Sequence, residues 1–267
     1  MSLRSLHSAA SGMQANNFKL DVIANNIANA GTTGYKKSRA NFEDVFYEHF
    51  KLPGQLDASG SMTPIGKSVG LGTKVSGTQL DFTQGSLKVT DGQLDLAITG
   101  EGFFQVVNPD SSTGYTRNGA FTLNTNGQLV LASGDVGRLV LPNITIPVDA
   151  QDISIGGDGQ IFYRTAGTNT LTNAGQLQLT RFTNQGGLLQ IGDSIYTETD
   201  ASGAPVTGTP GTNGFGQIRQ NFLEESNVEP VKELVDLIQT QRNFELNSQV
   251  VQAADQALQL IANLRRF

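Results

Sequence analysis

The chain contains no cysteine and no tryptophan, and it has few apolar residues for its length. Its 267 residues are 37% hydrophobic and include two histidines. Without cysteine there can be no disulfides and no thiolate metal sites, and His7 and His49 lack the paired spacing of a histidine metal site. The abundant Gly, Ser, Thr, Asn and Gln favour turns and a polar surface instead.

Long apolar runs and a strong basic charge are also missing. The opening MSLRSLHSAASGMQ has no apolar stretch of the roughly 7–15 residues found in a cleaved signal peptide, and no run reaches the roughly 18–20 apolar residues of a membrane span. We therefore expect no membrane insertion, and no cleaved signal if the protein leaves the cytoplasm. The net charge of −6 argues against nucleic-acid binding, which needs a concentrated basic face.

The N-terminus carries a heptad pattern. Apolar or small residues recur at alternating steps of three and four, with Asn17 as the polar interruption, and predict a helix of about 26 residues. The members of this stripe are Leu3, Leu6, Ala10, Met13, Leu20, Ala24 and Ile27.

The C-terminus repeats the pattern and predicts a second helix from about Glu229, with Ser226 or Asn227 as its cap. This stripe consists of Leu234, Leu237, Phe244, Val251, Leu258 and Ala262. One alternative is that the two helices pair within one chain as a hairpin; the other is that they pack against other subunits. Apolar residues beside the C-terminal stripe make it wider than one partner helix would cover, which favours packing between subunits.

Between these ends the apolar period changes from 3.6 to 2, which predicts an all-β domain. Asn126-Gly127 and Asp158-Gly159 are predicted hairpin turns. Residues 51–68, KLPGQLDASGSMTPIGKS, follow neither period and favour an extended connector. The fold class expected is α+β, mainly β, with these divisions: N-terminal helix 1–35, connector 36–68, β domain 69–225 and C-terminal helix 226–267.

No catalytic, cofactor-binding or metal site is expected. The nearest motif is GSMTPIGKS, which ends like a phosphate-binding loop. It has five residues between its glycines rather than four, it contains Pro64, and no predicted strand and helix flank it. We interpret it as connector.

The segment ANNIANAGTTGYKKS is interpreted as a helix terminus. Asn29, Gly31 and Gly34 tolerate the left-handed backbone that ends helices, and Tyr35 can pack back. The side-chain amides in this segment can also bond to nearby backbone or to neighbouring subunits, and the sequence does not separate these two roles.

These residues carry a family resemblance. ANNIANAGTTGYKKSRANFEDVFY closely resembles the N-terminal signature of bacterial flagellar axial proteins, the rod and hook subunits. LEESNVEPVKELVDLIQTQRNFELNSQVVQAADQAL resembles their C-terminal signature. GEGFFQV, YTRNGAFTLNTNGQLV and PGTNGFGQIRQNFLEESNV extend the resemblance to nearly the whole chain. The length and the connector favour a distal rod subunit, with a hook or proximal rod subunit as the alternative.

The resemblance implies a self-assembling structural subunit rather than an enzyme, with no cofactor. In that family the terminal helices form an inner coiled-coil domain around an export channel, and the β domain faces outward. The polymer is a hollow drive shaft across the periplasm. The implied partners are other copies of the chain, the neighbouring proximal rod and hook-end proteins, the P- and L-ring bushings, and the flagellar type III export apparatus.

The resemblance also assigns residues. The two stripes would be the subunit-packing residues. The turn from inner helix to connector would be formed by Asn25, Asn26, Asn29, Thr33, Gly34 and Tyr35. A hypothesis from another class is a carbohydrate-binding or carbohydrate-hydrolysing β protein. The chain offers no identifiable acid/nucleophile pair and no tryptophan for sugar stacking, and both facts count against it.

Overall fold

The computed structural model of the protein describes residues 3–56, 62–133, 137–165, 167 and 170–264. The chain divides into two compact units, and each is assembled from separate stretches of sequence. Unit 1 takes its residues from Met1–Ile27, Ser38–Gln79 and Pro230–Phe267, and unit 2 from Ala28–Lys37 and Leu80–Glu229.

Unit 1 contains both helices and a two-stranded ribbon. Its elements are α1 (Leu3–Ala28), β1 (Ser38–Asp44), β2 (Tyr47–Lys51), β3 (Lys67–Gly70), β4 (Thr73–Leu80) and α2 (Pro230–Leu264). The helices confirm the two heptad predictions, and proline takes the first position of α2, where its missing N–H has no intrahelical partner to lose. In the ribbon, β1 pairs with β4 and β2 pairs antiparallel with β3.

The ribbon lies where the sequence predicted an extended connector over 36–68. β1, β2 and the start of β3 fall inside that range, although residues 57–61 lie outside the described part of the chain. The ribbon is joined by backbone ladder hydrogen bonds, and most side chains of β2 and β3 are exposed, so it carries no alternating apolar signal. The boundary expected at residue 69 therefore falls within β3, and the ribbon continues to the end of β4.

Unit 2 is rich in short strands, as its alternating pattern predicted. They are β5 (Leu87–Val89), β6 (Leu96–Thr99), β7 (Phe103–Val107), β8 (Thr113–Thr116), β9 (Phe121–Leu123), β10 (Leu129–Leu131), β11 (Val140–Leu141), β12 (Ala150–Ile155), β13 (Gln160–Thr165), β14 (Thr172–Gln176), β15 (Leu179–Arg181), β16 (Leu189–Gly192), β17 (Ile195–Thr197), β18 (Val206–Gly208), β19 (Gln217–Gln220) and β20 (Phe222–Glu224). A 3-10 turn covers Gln185–Gly187.

The largest sheet has the strand order β16-β17-β8-β7-β15-β18, and β11 also pairs with β7. A second sheet has the order β12-β13-β14, and β9 pairs with β10. Two antiparallel pairs, β6 with β19 and β5 with β20, bring the two ends of the unit together. Early and late parts of the unit 2 sequence are therefore joined by backbone hydrogen bonds.

Both predicted hairpin turns are confirmed. Asn126-Gly127 joins β9 to β10, and Asp158-Gly159 joins β12 to β13. Gly127 and Gly159 have φ values of +74° and +82°. A residue with a side chain is strained in this conformation, which explains glycine at both turns.

The core of unit 2 lies on both faces of β7. Phe103 and Phe104 are adjacent and fully buried, and they point to opposite faces because side chains alternate along a strand. Phe104 belongs to the larger aliphatic cluster. Phe103 belongs to an aromatic cluster in which Tyr115 and Phe182 pack edge to face, with ring centroids 4.7 Å apart.

Candidate subunit interface

The predicted stripe of α1 only partly faces the interior. Leu6, Met13, Leu20 and Ile27 are half-buried, whereas Ala10 and Ala24 are exposed. The buried residues of α1 are Ala9, Ala15, Ile23 and Asn26. The side chain of Leu3 lies outside the described residues. About half of the predicted stripe therefore lies on the buried side of α1. At two positions the stripe residue, Ala10 or Ala24, is exposed, and the residue before it, Ala9 or Ile23, is buried instead.

The stripe of α2 is likewise only partly buried. Leu237, Phe244 and Val251 are half-buried, but Leu234 and Leu258 are exposed. The buried positions on α2 are Glu233, Thr240 and Ala254. The side chain of Ala262 lies outside the described part. The assignment of the stripes to packing between subunits stays a prediction.

The helices contact each other within the chain through small and polar residues. Asn26 Nδ2 donates to Glu233 Oε2 at 3.3 Å. A Cβ built on Gly12 would lie 3.0 Å from Asn247 Nδ2. Asn26, near the end of α1, contacts Glu233, near the start of α2. Gly12, earlier in α1, lies close to Asn247, later in α2, so the two helices are antiparallel. The hairpin that the sequence left open as an alternative is present.

This pairing leaves a row of apolar side chains on α2 in solvent, and we call it the outer face of α2. Val231 is 78% exposed, and Leu260 is 66% exposed. Because large apolar side chains clustered on a surface indicate a binding site, this face is a candidate interface. Its members are Val231, Leu234, Val235, Ile238, Leu246, Val250 and Leu260.

The ribbon of unit 1 carries a second apolar surface, which sequence reasoning missed because its members follow no period. Phe46 is 86% exposed. An open groove of about 500 Å³ is lined by Asp44, Val45, Phe46, Tyr47, His49 and Lys74. The exposed apolar residues of the ribbon are Phe42, Phe46, Tyr47, Phe50, Leu52, Leu56, Met62, Ile65 and Val69.

In unit 2, the second half of the predicted motif turn is a tight backbone structure. The Thr32 amide donates to the Asn29 carbonyl at 3.1 Å, and the Tyr35 amide donates to the Thr32 carbonyl at 3.3 Å. Thr33 is half-buried. Gly34 has φ +68°, and a Cβ there would lie 2.6 Å from the backbone nitrogen of residue 118. Glycine is needed at this position for both reasons.

The lysine after this turn enters a buried ion cluster, formed by Lys36, Arg117 and Glu224. Lys36 Nζ donates to Glu224 Oε1 at 2.6 Å and to the Thr83 carbonyl at 2.7 Å. Arg117 Nη1 contacts Glu224 Oε2 at 3.4 Å, and its Nη2 donates to the Gly100 carbonyl at 2.8 Å. All three charged side chains are at most 2% exposed.

The buried ion cluster contains two cations and one carboxylate. Burial lowers the pKa of Lys36 and the pKa of Arg117, while the charge of Glu224 opposes both shifts. Glu224 is hydrogen-bonded to both cations, so it compensates a charge on each. Desolvated ions are costly unless they are paired, and the cluster therefore holds its three segments together through one carboxylate.

These three residues come from three of the signature segments, GTTGYKKS, YTRNGAF and LEESNV. Sequence reasoning did not select them. The available signal was one or two charged residues in each segment, but one sequence does not show that a lysine and a glutamate 188 positions apart form a pair. The signatures of unit 2 thus meet in a structural contact.

Asn227, a predicted helix cap, has another role. Its Oδ1 accepts from the Lys37 amide at 2.8 Å, and its Nδ2 donates to the Asp81 carbonyl at 2.8 Å. The hydroxyl of Ser226 accepts from the Val228 amide at 3.2 Å. The cap prediction was wrong for both residues, because α2 begins at Pro230, Ser226 bonds to a residue before the helix, and the side-chain amide of Asn227 bonds to the backbone of unit 2.

The described residues were also searched for chemical sites. None of them form a group of three or more His, Cys, Asp or Glu side chains that could hold a metal ion. The Lys67-Ser68 end of the phosphate-loop-like motif lies in β3, and no helix follows it directly. Neither α1 nor α2, over its described length, has the apolar window that a bilayer span needs.

A helix pair with an exposed apolar face and an apolar ribbon are the features of a protein that assembles with other proteins. Comparison with known families agrees. The model for the flagellar hook protein FlgE/F/G D1 domain matches residues 97–163. The model for the flagella basal body rod protein matches residues 6–36, and the model for the flagellar basal body rod FlgEFG protein C-terminal region matches residues 219–264.

Full-length relatives make the assignment more specific. The chain is 44% identical to the flagellar basal-body rod protein FlgG of Agrobacterium fabrum, over 97% of this chain and 98% of the relative. It is 42% identical to FlgG of Caulobacter vibrioides, over 98% and 100%. The flagellar hook protein FlgE of Salmonella typhimurium matches at 26% identity, over 98% and 100%. The chain belongs to the family of flagellar basal-body rod and hook proteins, and the predicted resemblance is confirmed.

Proposed function

We infer that the protein is a structural subunit of the distal part of the bacterial flagellar rod. Many copies polymerise into a hollow helical shaft, which transmits torque from the motor to the hook and encloses the export channel. The observation that carries this proposal is the outer face of α2, since the helix hairpin alone leaves its apolar side chains in water. The near-full-length similarity to FlgG proteins favours a rod subunit over a hook subunit.

Burial of this face between copies would supply a large driving force. Each exposed Leu, Ile or Val gains about 1.5–3 kcal/mol when it is fully buried. The seven partly exposed side chains of the outer face would together contribute on the order of 10 kcal/mol before association costs are subtracted. Contacts of this kind that repeat without closing a ring produce a helical polymer.

The remaining parts of the proposal concern neighbours and location. We place the protein in the rod across the periplasm, exported by the flagellar type III apparatus without a cleaved signal. Its neighbours there are the proximal rod proteins, the hook-end proteins and the P- and L-ring bushings. Its role is mechanical, without catalysis or a cofactor. The exposed ribbon of unit 1 is a further surface for such contacts.

The test compares two double variants of the full-length protein. Leu234→Ser with Ile238→Ser changes the outer face of α2, where the side chains are 51% and 43% exposed. Val148→Ser with Leu171→Ser is the matched control in unit 2, with exposures of 82% and 64%. Because all four residues are exposed, each pair should change the free energy of unfolding by about 1 kcal/mol or less.

Sedimentation and electron microscopy over increasing protein concentration provide the measurement. We expect rods from the parent and from the control, and only monomers from the variant of α2. Motility of a rod-deficient bacterium should follow the same order. Rods of normal yield from the Leu234→Ser, Ile238→Ser variant would contradict the proposal.

A further inference from the structure

One buried side chain of unit 1 connects three elements. Asn26 lies near the end of α1 and is 2% exposed. Its Oδ1 accepts from the Ser38 amide at 3.0 Å, and its Nδ2 donates to the Ser38 carbonyl at 2.9 Å. The same Nδ2 donates to Glu233 Oε2 at 3.3 Å. The carboxamide of Asn26 thereby joins α1 to the start of the ribbon and to the first turn of α2.

Few side chains can form this set of contacts. A carboxamide provides one acceptor oxygen and two donor hydrogens, and all of them are used here. An aspartate in place of Asn26 would keep the acceptor for Ser38 but lose both donors. It would also place a second carboxylate against Glu233 in a buried position, where like charges repel strongly.

The spacing of the buried residues does not by itself select one alignment. The buried residues on α2 facing the hairpin include Glu233, Thr240 and Ala254, which are spaced by seven or fourteen residues. A slip of seven residues would move Thr240 opposite Asn26 and Ala254 opposite Gly12. The heptad spacing is unchanged by this slip, so periodicity alone permits both alignments.

Two contacts, one hydrogen bond and one close approach, belong to a single alignment. Asn26 meets Glu233, and Gly12 meets Asn247. Gly12 precedes Asn26 by 14 residues in α1, and Asn247 follows Glu233 by 14 residues in α2. Both contacts therefore fit the same antiparallel register. A buried polar residue in a helix seam is an established way to specify register at some expense of stability.

We propose that Asn26 is the positioning residue that sets the register of the α1–α2 hairpin, through its contacts with Glu233 and Ser38. In that register the outer face of α2 is presented to neighbouring copies at one fixed height along α1. This last consequence rests on the proposed function; the register itself does not.

The test uses disulfide trapping in the monomeric full-length protein, which has no cysteine of its own. Gly12→Cys with Asn247→Cys reports the native register, and Gly12→Cys with Ala254→Cys reports a slip of seven residues. The first pair also removes the Gly12–Asn247 contact, so it leaves the register more dependent on Asn26. Yields are measured for both pairs with and without Asn26→Ala.

We expect Asn26→Ala to lower the ratio of native to slipped cross-link roughly tenfold, because a buried hydrogen-bonded group is lost in one register only. Asn17→Ala, at an exposed position on the same helix, is the matched control and should leave the ratio unchanged. An unchanged ratio in Asn26→Ala would overturn the proposal. An equal fall of both cross-links would also overturn it, because it would indicate only a general loss of stability.

A second pair of variants tests the contact itself. Asn26→Asp should lower the native cross-link, and adding Glu233→Gln should recover much of it by returning a donor to this position. Recovery of the native cross-link by Glu233→Gln would not be expected if Asn26 only stabilised another part of the protein. Failure of Glu233→Gln to change the yield of Asn26→Asp would contradict the assignment.

Assembly is then measured separately. Asn26→Ala locked in the native register by the Gly12–Asn247 disulfide should form rods again, while the reduced form should not. Rods from the reduced form at parental yield would overturn the link between register and assembly. If the parent protein itself formed no rods, the proposed function would fail, and the cross-link ratio would still decide the register.

Discussion

At the scale of single residues, the buried ion cluster has unequal partners. Glu224 faces two cations, so its loss leaves Lys36 and Arg117 buried without a counter-ion. Loss of Lys36 instead leaves one arginine with one carboxylate. Since an unpaired buried charge is far more costly than a missing ion pair, the three residues differ in their importance for stability.

The first prediction follows from this asymmetry. Glu224→Gln should lower the free energy of unfolding of unit 2 by about 3–5 kcal/mol, and Lys36→Met by clearly less. Urea unfolding followed by circular dichroism measures both. Glu101→Gln is the control, because its carboxylate is 62% exposed and lies 3.8 Å from Arg181, so a change below about 1 kcal/mol is expected. Equal losses of unfolding free energy for Glu224→Gln and Lys36→Met would show that the excess of cations over carboxylates does not determine the stability of the cluster.

The second prediction concerns Gly34. Gly34→Ala forces a left-handed backbone on alanine and places its Cβ 2.6 Å from the backbone nitrogen of Asn118. Gly54→Ala has the same kind of backbone, with φ +80°, but its Cβ would meet nothing within 4 Å. We expect a loss of about 1–2 kcal/mol for Gly54→Ala and a distinctly larger loss for Gly34→Ala, measured by thermal unfolding. Similar losses would mean that the backbone around Asn118 moves away freely.

At the scale of elements, the sides of the helices that meet each other combine apolar and polar residues. The inner seam carries Asn26, Glu233 and Thr240, whereas Leu234 and Ile238 are exposed. An apolar stripe in a single chain is normally expected to face the core. Here small and polar residues are part of the contact within the hairpin, and a second group of large apolar residues remains for another interface.

The third prediction tests this close approach at Gly12. Gly12→Ala places a Cβ 3.0 Å from Asn247 Nδ2, the movable end of a side chain, and it also removes a poor helix former. It should therefore be neutral or raise the free energy of unfolding by up to about 1 kcal/mol. Gly12→Leu should lower it by about 1–3 kcal/mol, because the larger side chain forces the helices apart.

Helix content by circular dichroism during thermal unfolding measures both changes at Gly12. The same pair of substitutions at Asn17, an exposed site on α1, is the control and should show no loss for leucine. Equal destabilisation by alanine and leucine at position 12 would rule out close packing there.

The elements differ in how well the sequence predicted them. Helix ends and the turns at Gly127 and Gly159 were predicted because they depend on nearby residues. Strands β2 and β3 of the ribbon were missed because most of their side chains are exposed and show no alternating buried face. Two described members of each stripe are exposed, Ala10 and Ala24 on α1 and Leu234 and Leu258 on α2, because apolarity alone does not show which side of a helix meets its partner within the chain.

At the scale of the whole molecule, both units are assembled from stretches that are distant in sequence. Each unit nevertheless has its own contacts. The helix hairpin and the ribbon stabilise unit 1, and two clusters of buried apolar residues stabilise unit 2. A substitution inside one unit should therefore act mainly on that unit.

The fourth prediction uses segment-resolved hydrogen exchange. Glu224→Gln should speed amide exchange in the strands of unit 2, such as Leu96–Thr99, with little change in α2. Gly12→Leu should speed exchange in α1 and α2 with little change in Leu96–Thr99. Uniform acceleration over the whole chain in both variants would show that the two units unfold as one.

The sequence by itself determined the helical ends, the β-rich middle, the hairpin turns and the family. Each of these depends on local periodicity, on residues that tolerate a left-handed backbone, or on contiguous signatures. Only the tertiary structure decided the ion cluster, the Asn26 contacts and the side of each helix that stays exposed. The pairs involved are 188 and 207 positions apart, and their choice depends on packing in three dimensions that no local pattern records.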